Sequence, residues 1–209
     1  MKTAVFWDMD GTLFDSEALC VKIVAESLRH FGLPVPDISV LKACNGPTVD
    51  GMAKLVNVPE ELIPAFGKWM VDYEVSVIPE VQKLYSGVAE ALRSLKNNAM
   101  LFVASNGSPD YFNASLRHYG IYDLFTDVPA ERDSLSKGAR ILRDMKNNQI
   151  DKAVMVGDRD FDYLAAREAG IPFIAATYGY APEGELQSAD AFAKSAKEAA
   201  EKALLILRA

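Results

Sequence analysis

Residues 3–12 read TAVFWDMDGT, a largely apolar run that ends in two aspartates separated by one methionine. A short run that is apolar on both faces is typical of a strand in a parallel sheet covered by helices on each side. Asp8 and Asp10 follow this strand at its carboxyl end, which is where open α/β sheets bind ligands. An isolated Asp-Gly pair is ordinarily a solvated turn, but two carboxylates at a strand end can face one ligand together. The stretch therefore predicts a buried first strand and two candidate site residues.

Other short apolar runs alternate with helical patterns, which indicates a parallel sheet built from βα units. We predict further strands at residues 99–104, 124–128, 153–156, 171–175 and 191–193, and helices at 88–96 and 196–207. The expected fold class is α/β, with a doubly wound, Rossmann-like parallel-sheet core.

Residues 15–80 depart from this alternation, because they contain helical patterns and no convincing strand. The apolar residues of 66–77, for example, recur at the spacing of one helix face. We predict an inserted helical domain at 15–80 and a core formed by residues 1–14 and 81–209. The aromatic side chains of the 66–77 stretch are expected to pack inside the inserted domain, since aromatic stripes at helical spacing usually face inward.

The composition disfavours several classes of protein. The chain has 209 residues and a formal net charge of −7, which argues against a nucleic-acid partner because a polyanion binder needs clustered lysine and arginine. Two cysteines and two histidines occur without a paired spacing, so a zinc site is not expected. No run is long enough to span a membrane, and the first apolar run is too short for a signal peptide. We expect a soluble cytoplasmic protein, monomeric or weakly dimeric, without a membrane partner.

A second acidic loop, GDRDFD at residues 157–162, follows a later predicted strand. Asp160 is expected to cap the next helix, a common role for aspartate. Asp158 should instead reach the same sheet edge as Asp8 and Asp10. Converging carboxylates repel one another unless a divalent cation or a lysine neutralises them, and an all-oxygen ligand set suits Mg²⁺. This loop therefore makes Asp158 a candidate metal ligand.

Two further loops should meet the same edge of the sheet. Ser105 and Asn106 follow the strand predicted at 99–104 and precede a helix. A small hydroxyl beside backbone N–H groups at a helix start can cradle a phosphate, although Ser-Asn-Gly is also ordinary turn chemistry. Lys137 begins a later predicted helix. A lone lysine is ordinarily a solvated surface charge, but its position at this edge of the sheet makes it a candidate site residue.

Together these four loops resemble the motifs of the haloacid dehalogenase-like hydrolase superfamily, in the same order and over nearly the whole chain. Residues 8–14 are similar to its first motif, 105–106 to its second, Lys137 to its third and 157–162 to its fourth. The insert resembles the α-helical cap of phosphoglycolate phosphatase and β-phosphoglucomutase relatives. One departure is that Gly-Ala-Arg follows Lys137, where many relatives have a proline-rich stretch.

The resemblance implies a role for each of the residues at these positions. Asp8 would be the nucleophile, and Asp10 would be the general acid and base. A Mg²⁺ ion would be held by Asp8, the backbone carbonyl of Asp10 and Asp158. The phosphoryl group would be bound by Ser105, the amide of Asn106 and Lys137, the metal site would be supported by Asp162 and Thr12, and Asn45 and Thr48 of the cap could touch the leaving group.

The resemblance implies a Mg²⁺-dependent phosphatase that hydrolyses a small phosphorylated metabolite through an aspartyl-phosphate. Asp10 favours phosphate-ester chemistry, because dehalogenase and phosphonatase relatives with similar caps lack an acidic residue at this position. A phosphosugar mutase would share the same catalytic set and stays open as an alternative. Two alternatives of another class are a non-catalytic phospho-acceptor module and a binding homologue with an inactive site.

Overall fold

The computed structural model describes residues 1–129 and 134–209. In chain order its strands are β1 (Thr3–Trp7), β2 (Phe14–Asp15), β3 (Lys83–Leu84), β4 (Met100–Val103), β5 (Lys152–Gly157), β6 (Phe173–Ala176) and β7 (Ala191–Ala193). Its helices are α1 (Glu17–His30), α2 (Ile38–Ala43), α3 (Val49–Leu55), α4 (Ile63–Val81), α5 (Val88–Lys96), α6 (Pro109–His118), α7 (Lys137–Asn148), α8 (Asp160–Ala169) and α9 (Ala196–Arg208). Short 3₁₀ turns lie at Glu60–Leu62 and Tyr122–Leu124.

Five strands form one parallel sheet in the order β4-β1-β5-β6-β7. Along β1, Val5 and Trp7 face one apolar cluster while Ala4 and Phe6 face another. The alternation follows from the two-residue period of a strand, so β1 is covered on both faces. The predicted α/β fold with a doubly wound sheet is confirmed. After β1 the next strand of the sheet is β4 on one side, and from there the chain crosses to β5 on the other side of β1. Such a switch point opens a crevice for ligands.

The strand predicted at 124–128 is wrong. Residues Tyr122–Leu124 form a 3₁₀ turn, and only an isolated bridge from Asp127 to Phe102 follows it. The physical reason lies at Thr126, whose side-chain hydroxyl accepts the N–H of Leu101 at 3.2 Å. That bond replaces the backbone carbonyl that a continuing ladder would supply.

Helices α1 to α4 form the inserted helical region, here called the cap. The chain enters it through β2 and leaves it through β3, and these two short strands pair antiparallel. Phe66 is buried, while Trp69 stacks between His30 and Tyr73, with ring centroids 4.4 and 5.0 Å apart. The aromatic stripe thus packs within the cap. The predicted domain boundaries, 1–14 with 81–209 and 15–80, stay a prediction.

Within residues 1–129 and 134–209, no helix is both long enough and apolar enough to cross a membrane.

Candidate active site

Four of the predicted site residues meet in one buried cluster at the carboxyl edge of the sheet. Asp8 and Asp158 follow the neighbouring strands β1 and β5, and Asp162 lies in the first turn of α8. Lys137, the first residue of α7, donates from Nζ to Asp8 Oδ1 at 2.8 Å and to Asp162 Oδ1 at 2.6 Å. The parallel sheet explains this meeting, because it brings loops distant in sequence to one edge.

The electrostatics of this cluster favour a bound cation. Carboxylate oxygens of Asp8, Asp158 and Asp162 all lie within 4.8 Å of one another. Burial and the neighbouring Asp162 raise the pKa of Asp158 to about 7. Burial, followed by repulsion from Asp162, also raises the pKa of Asp8 well above its usual range. Ionising all three carboxyl groups at once is therefore unfavourable, and a bound divalent cation would stabilise their charged forms.

Lys137 neutralises part of the same charge. Burial lowers the pKa of Lys137, but the carboxylates of Asp162 and Asp8 raise it by more than burial lowers it. The pKa of Lys137 therefore lies above its usual value. The ammonium therefore stays charged and holds both carboxylates. The other oxygen of Asp162 accepts the backbone N–H of Arg159 at 3.0 Å. Asp162 thus has a hydrogen bond on each of its oxygens, which suits a supporting position.

The side chain of Asp10 is held by residues that the sequence patterns did not single out. Ser16 Oγ and the Tyr111 hydroxyl each donate to Asp10 Oδ1 at 2.5 Å, and Gln82 Nε2 donates to the Tyr111 hydroxyl at 2.7 Å. Burial raises the pKa of Asp10, while the bonds from Ser16 and Tyr111 oppose that rise. No local pattern pairs Asp10 with a tyrosine about a hundred positions later, and only the fold brings them together.

Two glycines let the backbone pass close to Asp158. Gly11 has a φ of +78°, and a Cβ there would lie 2.1 Å from Asp158 Oδ2. A Cβ on Gly179 would lie 2.3 Å from the Asp158 Cβ. The freed space lets Thr12 Oγ1 donate to Asp158 Oδ1 at 3.2 Å and Tyr180 N donate to Oδ2 at 2.7 Å. Thr12 is thus in contact with the candidate metal ligand Asp158, and its supporting role stays a prediction.

The second loop lies at the boundary between core and cap. Ser105 is buried and lines the cavity, and its Oγ accepts the N–H of Gly107 at 3.2 Å. Asn106 donates from Nδ2 to the carbonyl of Gly46 in the cap at 3.1 Å, and its Oδ1 accepts from Arg140 at 3.3 Å. The side chain of Asn106 therefore joins the two regions of the molecule.

The two cap residues predicted to touch the leaving group differ in position. Asn45 is buried and lines the cavity, its carbonyl accepts from Arg159 Nη1 at 2.9 Å, and its Nδ2 has no hydrogen-bond partner within the described chain. Thr48 is exposed at the N-cap of α3, where its Oγ1 accepts the N–H of Gly51 at 3.2 Å. Thr48 is not among the described residues that line the cavity, and its hydroxyl instead caps its own helix.

The cavity between core and cap has a volume of about 40 Å³. Typical ligand pockets are on the order of 300–1,000 Å³, so the space between core and cap is narrow. The cap contributes a mostly apolar wall that consists of Leu19, Cys20, Ile23, Val49, Met52 and Met70. Glu74 interrupts that wall and was missed by the sequence patterns. A signal for it existed, since Glu74 follows Met70 by four positions on the inward face of α4.

The comparison with known families agrees with this geometry. A family described as haloacid dehalogenase-like hydrolase matches residues 5–176. The chain belongs to that family. The resemblance to this family that the sequence motifs indicated is confirmed.

Individual relatives carry different functional names. A phosphoglycolate phosphatase from Xanthomonas campestris is 30% identical over 193 residues, which cover 85% of this chain and 84% of that protein. The tyrosine-protein kinase PtkA of Mycobacterium tuberculosis is 27% identical over 184 residues, 84% of this chain. The chain spans only 62% of the length of that kinase. A crystal structure of a predicted phosphatase from Clostridium acetobutylicum superposes with a TM-score of 0.81 at 28% identity, covering 98% of this chain and 99% of the other.

Proposed function

We propose that this chain is a Mg²⁺-dependent phosphatase that hydrolyses a small phosphomonoester through an aspartyl-phosphate on Asp8. The observation that carries the proposal is the joint placement of Asp8 and Asp10. Lys137 holds one oxygen of Asp8, while Ser16 and Tyr111 hold Asp10 beside it. Family membership and the phosphatases among the relatives support the same reaction class.

The donor set fits Mg²⁺. The buried cluster offers only carboxylate oxygens, which are the ligands this ion prefers, and their mutual repulsion favours a divalent cation. Asp8, Asp158 and the backbone carbonyl of Asp10 would hold the ion. When bound, it would supply positive charge to the phosphoryl oxygens and shield the nucleophile from them.

The first step forms a bond between an Asp8 carboxylate oxygen and the phosphorus, while the bond from phosphorus to the leaving oxygen breaks. Asp10 gives its proton to that leaving oxygen, so a neutral alcohol departs. The raised pKa of Asp10 suits this task, because the carboxyl must carry a proton at the start of the step. Lys137 keeps Asp8 oriented and stabilises the charge that develops on the phosphoryl oxygens.

The second step uses the deprotonated Asp10 as a base. A water molecule gives its proton to Asp10 and attacks the phosphorus of the aspartyl-phosphate, which releases inorganic phosphate and restores the Asp8 carboxylate. Ser105, beside the start of α6, would bind phosphoryl oxygens in both steps.

The test is the release of inorganic phosphate from p-nitrophenyl phosphate by the purified chain. We expect release that requires Mg²⁺, stops with a chelator and is lost in Asp8→Asn. The matched control is Asp50→Asn, which changes an exposed aspartate on α3. Equal release with and without chelator would contradict the metal. Conversion of a sugar phosphate into its isomer without release of phosphate would identify a mutase instead.

A further inference from the structure

The cap wall of the cavity carries one acidic side chain in an apolar surround. Glu74 lines the cavity together with Leu19, Ile23, Met52 and Met70. It makes no hydrogen bond or ion pair with any other residue that the structure describes. A carboxylate in such a position is costly unless something compensates its charge.

The position of Glu74 follows from the spacing of α4. Phe66, Met70, Glu74 and Ile78 are each four residues apart and form one row along the helix. Phe66, Met70 and Ile78 are buried. Packing alone would favour a fourth apolar residue in this row, so the carboxylate is better explained by the ligand than by the fold.

The cationic side chains around the cavity are already engaged. Lys137 binds Asp8 and Asp162, and Arg159 donates to Glu185 at 2.8 Å and to the carbonyl of Asn45. Among the described residues that line the cavity, no other side chain is a lysine or an arginine. A leaving group with a carboxylate would therefore meet Glu74 without a free cation to offset the repulsion.

We propose that Glu74 is a specificity-determining residue that selects phosphomonoesters whose leaving alcohol carries an ammonium group. The inference rests on the proposed phosphatase function and names its substrate class, small phosphorylated amino alcohols. An ammonium in the cap half of the cavity would pair with Glu74 while the phosphate reaches Asp8. Burial and the nearby Asp10 raise the pKa of Glu74 well above its usual range, which agrees with a carboxylate that lacks its partner in the free protein.

The experiment compares three small esters under the same Mg²⁺ concentration. O-phosphoethanolamine carries an ammonium, ethyl phosphate is neutral in its leaving group, and 2-phosphoglycolate carries a carboxylate. We expect kcat/KM to fall in that order, with O-phosphoethanolamine preferred over ethyl phosphate by about tenfold or more, the size of one charge-assisted hydrogen bond. A faster reaction with 2-phosphoglycolate than with O-phosphoethanolamine would overturn the inference.

Variants of α4 assign the preference to one side chain. Glu74→Gln keeps the size of the residue and is expected to reduce the ratio of the ammonium to the neutral ester by about tenfold. Glu74→Asp retains the charge and is expected to keep part of the ratio. The matched control is Asp72→Asn, which removes an exposed carboxylate two residues away on the opposite side of the helix and should leave the ratio unchanged. An unchanged ratio in Glu74→Gln would overturn the inference.

The two proposals fail in different ways. Turnover of p-nitrophenyl phosphate without the expected order among the three small esters would overturn the role of Glu74 and leave the phosphatase intact. No turnover of any ester with Mg²⁺ would overturn the phosphatase and the inference with it.

Discussion

The two walls of the cavity differ in how their carboxylates are held. On the core wall, Asp8, Asp10 and Asp162 each accept a hydrogen bond from a neighbouring side chain. On the cap wall, Glu74 has no such bond within the described residues. Groups that act on every ester need a fixed position before the substrate arrives, and the core supplies it. A group that recognises one leaving group can obtain its partner from the ligand.

The largest effect is expected from Lys137→Met on the core wall. The change leaves the buried carboxylates of Asp8 and Asp162 without their cation, which costs about 3–5 kcal/mol of the free energy of unfolding. We expect kcat to fall by about 10²–10³-fold, because a group that stabilises the transition state is lost. Urea unfolding and phosphate release measure the two effects. Lys146→Met, at an exposed position on the same helix, is the control. Wild-type kcat in Lys137→Met would contradict its place in the site.

A smaller effect on the same wall is expected from Tyr111→Phe. The variant keeps the buried ring and removes the hydroxyl that donates to Asp10. We expect kcat to fall by about tenfold with little change in KM, since one hydrogen bond that positions the acid is lost. Tyr163→Phe, which changes a ring packed on Phe173, serves as the control. If Tyr111→Phe raised KM instead, the hydroxyl would act on substrate binding rather than on Asp10.

Arg159→Gln tests the junction between the two walls. Arg159 joins the carbonyl of Asn45 in the cap to Glu185 in the core. Loss of these bonds should loosen the cap and raise KM by about three- to tenfold, with a smaller change in kcat. Steady-state kinetics with p-nitrophenyl phosphate measure this. Arg167→Gln, on the following helix α8 and paired with Asp190, should behave like the wild type. A change confined to kcat would argue that Arg159 acts in the chemical step.

The smallest effect concerns the two buried thiols of the cap, Cys20 in the cavity wall and Cys44. Burial raises the pKa of Cys44 to about 11 from its ordinary 9.0, and it also raises the pKa of Cys20. Neither thiol should react with Ellman's reagent in the folded chain at mildly alkaline pH, while both react in denaturant. Rapid labelling of the native chain would show that the cap opens more readily than its packing indicates.

The raised pKa of Cys44 determines whether alkaline pH increases or decreases the free energy of unfolding. An unfolded chain releases the Cys44 proton near pH 9.0, whereas the folded chain holds it to a pH of about 11. The free energy of unfolding should therefore fall as the pH rises between those values, and Cys44→Ala should weaken that fall. Urea unfolding at two alkaline pH values measures the slope, and an equal slope in both proteins would contradict the assignment.

The sequence could predict the elements whose signal is local. The apolar run of β1, bounded by Asp8, gave the strand Thr3–Trp7, and helix α5 was predicted at its observed bounds. The proximity of Asp8 and Asp158 could be predicted from the sequence, because the loops that follow parallel strands lie at one edge of the sheet. The roles of these residues stay proposals.

The sequence could not predict features that depend on the packing of distant segments. The bond from Tyr111 to Asp10 exists only after α6 packs beside the first loop, and the failure of the strand at 124–128 depends on the side chain of Thr126. Thr48 and Asn45 share one loop, and only the fold shows that Thr48 caps a helix while Asn45 lines the cavity. Glu74 lay on a recognisable helix face, but its exposure to the cavity required the cap to be placed over the core.

The most direct test of the central claim is to look for phosphate bound to Asp8 itself. Asp10→Asn, incubated with Mg²⁺ and p-nitrophenyl phosphate, should be phosphorylated because this leaving group needs no proton, and the missing base should then slow hydrolysis. We predict a hydroxylamine-sensitive phosphate that mass spectrometry maps to Asp8 and that is absent from Asp8→Asn. Phosphate release by the wild type together with no label on Asp8, or equal labelling of Asp8→Asn, would contradict the proposed mechanism.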